Sequence, residues 1–272
     1  MVVENLAADE VEEYKMKTLN STEDILVFEA DVTQSFANAW RRAMIAEVPV
    51  MAVEEMEIMK NSSSMFDETL ANRIGLLPLK TDAQSYNLPE RCTCKGEGCA
   101  KCQVKLYLKA GKNGMIYADS ITSKDPKIVP VHAKTPIVFL NPGHQVELEL
   151  TASLGKGKNH AKYCPGLVYF KKKPKITIGK VEDVDAAVKA CPHLVLKKDG
   201  NKLKVDESKL IDCDLCLACS EFDPNIKVET EDKYIFYIES WGQLDPKEIA
   251  TLALDELEIK AKEFENALKE LK

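Results

Sequence analysis

Cys213-Asp214-Leu215-Cys216-Leu217-Ala218-Cys219 is a C-x2-C-x2-C run, and Cys191-Pro192 stands upstream of it. Two such gaps let three thiolates from one tight loop reach three irons of a cubane, and a Cys-Pro from elsewhere closes the fourth corner. The bacterial ferredoxin run C-x2-C-x2-C-x3-C-P can be laid twice over this stretch. In the downstream copy Asp223 replaces the fourth cysteine and is still followed by Pro224. In the upstream copy Cys191-Pro192 remains, while Val181, Val184 and Ala187 hold the three earlier positions. In two-cluster ferredoxins the fourth cysteine of one run ligates the other run's cluster. Cys191, Cys213, Cys216 and Cys219 therefore belong to one site, with the second site lost. The expected cofactor is one [4Fe-4S] cluster, with [3Fe-4S] left open; a structural zinc on four thiolates is the competing reading.

The flanking residues complete a small module. Lys175 to Ile178 reads as a strand, Val184 to Ala190 as a short helix, and Leu194–Lys198 with Lys202–Val205 as a hairpin through Asp199-Gly200. Strands, short helices and cluster cysteines together predict a ferredoxin-like iron–sulfur domain over residues 171–226, spliced into a larger protein.

A second quartet, Cys92, Cys94, Cys99 and Cys102, forms C-x-C-x4-C-x2-C around Lys95-Gly96-Glu97-Gly98. The two glycines let a short loop fold back so that four sulfurs approach one ion at about 2.3 Å, the geometry of zinc. Unliganded thiols are the plainer alternative. Cys164 has no partner by spacing and reads as an ordinary thiol.

The chain has 272 residues, 45% of them hydrophobic and 30% charged, with a formal net charge of −7. That balance predicts a soluble globular protein and argues against a surface built to coat nucleic acid, which needs excess Lys and Arg. No apolar stretch approaches the ~20 residues of a membrane span. Met1-Val2-Val3-Glu4-Asn5 lacks the basic and then apolar regions of a signal peptide, so reduced thiols and a cytoplasmic location are expected. The basic run Lys171-Lys172-Lys173-Pro174-Lys175 reads as a solvated linker stiffened by proline rather than a nucleic-acid patch.

Elsewhere, Ile25 to Ala30 reads as a strand, and Thr33 caps a helix carrying Phe36, Ala37, Trp40, Ala43 and Met44 on one face. Pro49 ends it, and Val50 to Val53 begins an extended segment. A further helix lies around Phe66 to Ile74, and strands at Lys105–Lys109, Ile137–Leu140 and Val146–Leu150 make a β-rich insert. Asp245-Pro246-Lys247-Glu248 is a helix-start signature. From it Leu254, Leu257, Ala261, Phe264, Leu268 and Leu271 recur at heptad spacing, a seam that a partner subunit would bury.

Four longer stretches carry a resemblance. Asn38-Ala39-Trp40-Arg41-Arg42-Ala43-Met44-Ile45-Ala46-Glu47-Val48-Pro49, Asn72-Arg73-Ile74-Gly75-Leu76-Leu77-Pro78-Leu79, His160-Ala161-Lys162-Tyr163-Cys164-Pro165-Gly166 and Glu239-Ser240-Trp241-Gly242-Gln243-Leu244 follow one another over nearly the whole chain. They resemble the D-type subunit of archaeal DNA-directed RNA polymerase, itself similar to the N-terminal domain of the bacterial α subunit and to the third-largest subunit of eukaryotic RNA polymerase II. The resemblance implies an α+β fold. An α-subunit-like dimerisation domain (1–50 and 227–272) would hold a β-rich insert domain (51–170) that carries the ferredoxin-like module. It also implies a non-catalytic assembly platform that pairs with the small α-like subunit L, joins subunits N and P, and docks the large catalytic subunits. By position Arg41, Arg42 and residues 72–79 match motifs facing assembly contacts, although Arg41-Arg42 also reads as solvated surface. Asn72 stands where many relatives have His and receives no role.

No carboxylate cluster of the D-x-D-x-D kind is present to hold catalytic magnesium, and His132, His144, His160 and His193 are scattered. Nucleotidyl transfer would belong to the complex, with no sequence-specific DNA contact by this chain. The rival reading is an iron–sulfur electron-transfer protein with an oligomerisation helix.

Overall fold

The structure, a computed structural model, describes residues 15–271; the opening Met1 to Asn5 lies outside the described residues. Strands β1 (Met16–Ser21) and β2 (Ile25–Ala30) lead to helix α1 (Gln34–Ala46). Thr33 caps that helix as expected, its Oγ1 accepting the Phe36 amide at 3.3 Å. Ala37, Trp40, Ala43 and Met44 are buried on one face. Next come β3 (Pro49–Asn61), α2 (Asp67–Gly75), β4 (Gln103–Ala110), β5 (Gly114–Tyr117), β6 (Ile121–Ser123), β7 (Pro136–Leu140) and β8 (Val146–Lys156). The second half contains β9 (Gly166–Ile178), α3 (Val184–Ala190), β10 (Leu196–Asp199), β11 (Lys202–Val205), α4 (Ala218–Phe222), β12 (Ile226–Ser240) and α5 (Pro246–Glu270).

The described chain forms two compact units. One comprises residues up to Asn20, Val27–Ala37 and Tyr169–Tyr237; the other comprises Ser21–Leu26, Asn38–Val168 and the residues from Ile238 onward. In the first, most of a sheet of order β1-β2-β12-β9 is knitted by aromatic rings: Phe28 stacks on Phe236 with centroids 5.1 Å apart, and Phe170 meets Tyr234 edge-on at 5.4 Å. Helices α3 and α4 and the β10–β11 hairpin enclose a separate apolar cluster of Ala187, Cys191, Val195, Leu196, Leu203, Cys213, Cys219 and Ile226. Val181 and Val184 pack against it. Val181, Val184 and Ala187 thus add hydrocarbon to this cluster. Asp223, before Pro224, accepts the Asn225 amide at 2.8 Å and shapes a turn.

In the second unit a sheet of order β3-β8-β4-β6 and the pair β5–β7 bury a continuous core, including Met51, Leu70, Ile74, Leu79, Leu106, Leu148 and Leu150. Strand β3 carries a bulge at Glu54, where its register with β8 shifts between Val53 and Glu55.

Two sequence expectations change. The basic run is no linker: β9 continues through Lys171–Lys175 as an edge strand, the place where a sheet accepts Pro174. Its lysines are paired, Lys172 with Asp232 at 3.3 Å and Lys173 with Glu29 and Glu231 at 3.1 and 3.3 Å. Acidic residues on β12 and β2, invisible to a local reading, neutralise Lys172 and Lys173. The hairpin's first strand starts at Leu196 rather than Leu194, because Leu194 has a left-handed backbone (φ 51°). Helix α5 buries Pro246, Ile249, Ala250, Ala253 and Glu256 within its own chain and leaves the outer part of the heptad seam exposed.

Candidate functional site

The first cysteine loop follows a tight turn at Pro89–Arg91. Cys92 and Cys102 are buried, Cys94 and Cys99 half-buried. Their four sulfur atoms lie within 4.8 Å of one another, the only such group of ligating side chains among the described residues. The Cys92–Cys99, Cys94–Cys102 and Cys99–Cys102 sulfur separations are 3.6, 3.5 and 3.9 Å. The chain achieves this by successive turns, Lys95 and Glu97 amides donating to the Cys92 and Cys94 carbonyls at 2.9 and 3.1 Å. Gly98 has φ 90°, and a Cβ there would sit 2.2 Å from the Gln103 amide nitrogen, so glycine is required. The hydrogen bond with the Cys92 thiol is the chief influence bringing Cys94 down to about 6, whereas burial pushes Cys102 up to about 12.

In the second loop Cys191, Cys213 and Cys219 are buried together in the α3–α4 cluster, and Cys216 is exposed. The Val195 amide donates to Cys191 Sγ at 3.4 Å. Ser220 Oγ, directly after Cys219, is buried with no hydrogen-bond partner. Burial pushes the Cys213 and Cys219 thiols up. The four non-glycine residues with left-handed backbones among the described residues are Lys95, Leu194, Leu215 and Leu217 (φ 51–63°). All four lie in the two cysteine loops. Bulky residues occupy that region only under constraint, and such strain gathers at functional sites.

Helix α5 supplies the third feature. Asp245 accepts the Lys247 amide at 2.8 Å and Pro246 takes the first helical position, as the sequence predicts. The Trp40 indole donates to the Ala250 carbonyl at 3.0 Å and fixes the first turns. Leu254 and Leu257 are half-buried within the chain, but Ala261, Phe264, Leu268 and Leu271 are exposed. Of the two arginines, Arg42 is exposed and Arg41 donates to Asn38 Oδ1 at 2.9 Å.

Sequence reading missed the ionic network at the base of this helix. Glu256, buried, receives Arg91 in a bidentate bridge at 2.8 and 3.1 Å and Lys156 at 2.5 Å. Lys156 also reaches Glu47 at 3.4 Å, and Lys260 binds Glu47 at 2.5 Å. Burial alone would raise both carboxyls, but their cationic partners overcome it and hold them below the usual range. Arg91 immediately precedes Cys92, so the first cysteine loop and the helix share an anchor. Glu256 sits among other acids in sequence, and Lys156 ends a strand that also carries Glu147 and Glu149, so neither carried a signal. The 160–166 motif also finds its reason. Lys162 donates to Val53 O at 3.0 Å and pairs with Glu54, and the Tyr163 hydroxyl donates to Glu54 at 2.7 Å, satisfying the β3 bulge.

No helix among the described residues is long and apolar enough to cross a membrane. Residues 49–165 match the family model described as the RNA polymerase Rpb3/RpoA insert domain. Three proteins named DNA-directed RNA polymerase subunit Rpo3 are similar along their length. That of Methanosphaera stadtmanae is 39% identical over 252 residues, covering 88% of this chain and 92% of the relative. That of Archaeoglobus fulgidus is 35% identical over 243 residues, with 89% and 92% covered. That of Pyrococcus horikoshii is 34% identical over 266 residues, with 94% and 98% covered. Together with the matched insert domain, this similarity places the chain in the Rpo3 family of DNA-directed RNA polymerase subunits.

Proposed function

We propose that this Rpo3-family chain is the non-catalytic assembly platform of a cytoplasmic RNA polymerase, the equivalent of the archaeal D-type subunit. Family membership rules out the free-standing electron carrier. The observation that carries the platform reading is the outer part of α5, where Phe264, Leu268 and Leu271 are 67, 49 and 75% exposed on a helix whose base is clamped by Trp40, Arg91 and Lys156. Burying each of the three would contribute roughly 1.5–3 kcal/mol. The small α-like subunit L is the expected occupant; N, P and the large subunits follow, with Arg41, Arg42 and the exposed part of residues 72–79 facing later contacts. In this reading residues 1–50 and 227–272 form the dimerisation domain, 51–170 the insert and 171–226 the ferredoxin-like module. The test is a titration of the chain with the small partner: Phe264→Glu with Leu268→Glu abolishes heterodimer formation and leaves metal content unchanged, and wild-type affinity in that variant overturns the reading.

The two cysteine quartets fit two different metals. A tetrahedron with about 2.3 Å metal–sulfur bonds has edges of about 3.8 Å. The separations of 3.5–3.9 Å in the 92–102 loop support zinc there. Cys191, Cys213, Cys216 and Cys219 would hold one [4Fe-4S] cluster. The apolar enclosure, the amide aimed at Cys191 Sγ and the unpartnered Ser220 hydroxyl support a group larger than one ion with acceptor sulfurs of its own. Bound there, the cluster would supply a four-point cross-link and a one-electron redox centre. Loss of the second cluster's ligands removes the internal relay of a two-cluster ferredoxin and favours the structural role.

A further inference from the structure

Of the basic run on β9, Lys171 is the lysine that turns to the cysteine loop. Its side chain is 18% exposed, its ammonium donates to the Cys213 carbonyl at 3.0 Å, and it lies 3.5 Å from Asp214 Oδ1. The same ammonium stands 5.2 Å from the centroid of the Tyr237 ring. Tyr237 stacks on Tyr169 with centroids 4.6 Å apart, and its hydroxyl donates to the Ile211 carbonyl. Two side chains from the sheet thus grip residues 211–214 from β9 and β12. Asp214 extends the grip to the other cysteine segment, its Oδ2 lying 3.0 Å from His193 Nε2, two residues after Cys191.

A surface salt bridge explains none of this placement, because the carboxylate partner is 60% exposed and at long range while the backbone carbonyl of a cysteine takes the short bond. We propose that Lys171 is a positioning residue for the iron–sulfur cluster: it anchors the Cys213 end of the ligand loop and holds a fixed positive charge there that raises the cluster's reduction potential. This rests on the cluster reading above. One-electron reduction, by dithionite through mediators, adds one negative charge to the site and breaks no bond. A cation held in a partly desolvated place stabilises that added charge.

The test uses the full chain purified with its polymerase partners. Iron and sulfide are measured in the wild type, Lys171→Met, Lys171→Gln, Lys171→Arg and the same-strand control Lys172→Met. The cluster is then titrated by its electron paramagnetic resonance signal. Lys171→Met and Lys171→Gln are expected to make reduction harder by on the order of tenfold, about 59 mV for one electron, with Lys171→Arg and Lys172→Met close to wild type. Loading that fails in Met and Gln but returns in Arg supports the anchoring half directly. Full loading at the wild-type potential in Met and Gln overturns the proposal, as does failure to load in Arg. A wild-type chain with no iron, or with iron that survives Cys191→Ser and Cys213→Ser, defeats the cluster reading itself before any lysine variant is compared.

Discussion

The loop at Cys92–Cys102 draws four sulfur atoms within 4.8 Å and is tied to its unit by an ion pair, Arg91 to Glu256, whereas Cys191, Cys213 and Cys219 sit inside an apolar cluster with Cys216 at the surface. Both loops contain left-handed non-glycine residues. The mode of anchoring follows the neighbourhood. The first loop meets a strand end and a helix rich in charge. The second lies in an apolar cluster with Val181, Val184 and Ala187, so packing holds it.

The sharpest way to break this comparison is to remove ligands from each loop in turn. Cys213→Ser with Cys216→Ser should eliminate iron, leave zinc in place, and raise hydrogen exchange across residues 175–225 on the order of a hundredfold, since ligation and folding are coupled. Unchanged exchange in that region would show that the apolar cluster stands without its cofactor. Cys99→Ser should do the reverse, removing zinc and sparing iron, with exchange rising only around residues 88–104; iron loss in that variant would show that the two quartets are not independent.

The ionic anchor comes next in size. Lys156→Met leaves Glu256 and Glu47 short of a buried cation, and breaking such a pair from one side costs about 3–5 kcal/mol. Thermal unfolding should report a loss in that range, and a stability equal to wild type would mean that Arg91 and Lys260 suffice. A smaller effect appears with pH. Glu47 and Glu256 have folded pKa values below the ordinary 4.5, so their contribution is whole above that pH and is lost as pH falls through the lower folded values. The fall in melting temperature as pH drops from about 6, above the ordinary carboxylate range, into the acid range should be shallower in Glu256→Gln than in wild type. Equal slopes would remove the network from the acid response.

Much of the site is written in local spacing. The Cys92–Cys102 quartet, the Thr33 and Asp245 caps and the α3 helix at Val184–Ala190 were all legible, because each depends on residues a few positions apart. The heptad along α5 was legible as a pattern, but not how much of it the chain leaves bare. Spacing says which residues share a helix face; it does not say how far along the helix the chain covers that face itself. Tertiary structure decided that Ala253 and Glu256 turn inward and that Phe264, Leu268 and Leu271 stay bare. It also turned a lysine run from a linker into an edge strand. Glu29, Glu231 and Asp232, which neutralise Lys172 and Lys173, come from strands distant in sequence, and Lys171 finds Cys213 across 42 positions. A charge pair at short range in space and long range in sequence leaves no periodic trace, so only the folded chain could disclose Arg91–Glu256–Lys156 and the grip of Lys171 on the cysteine loop.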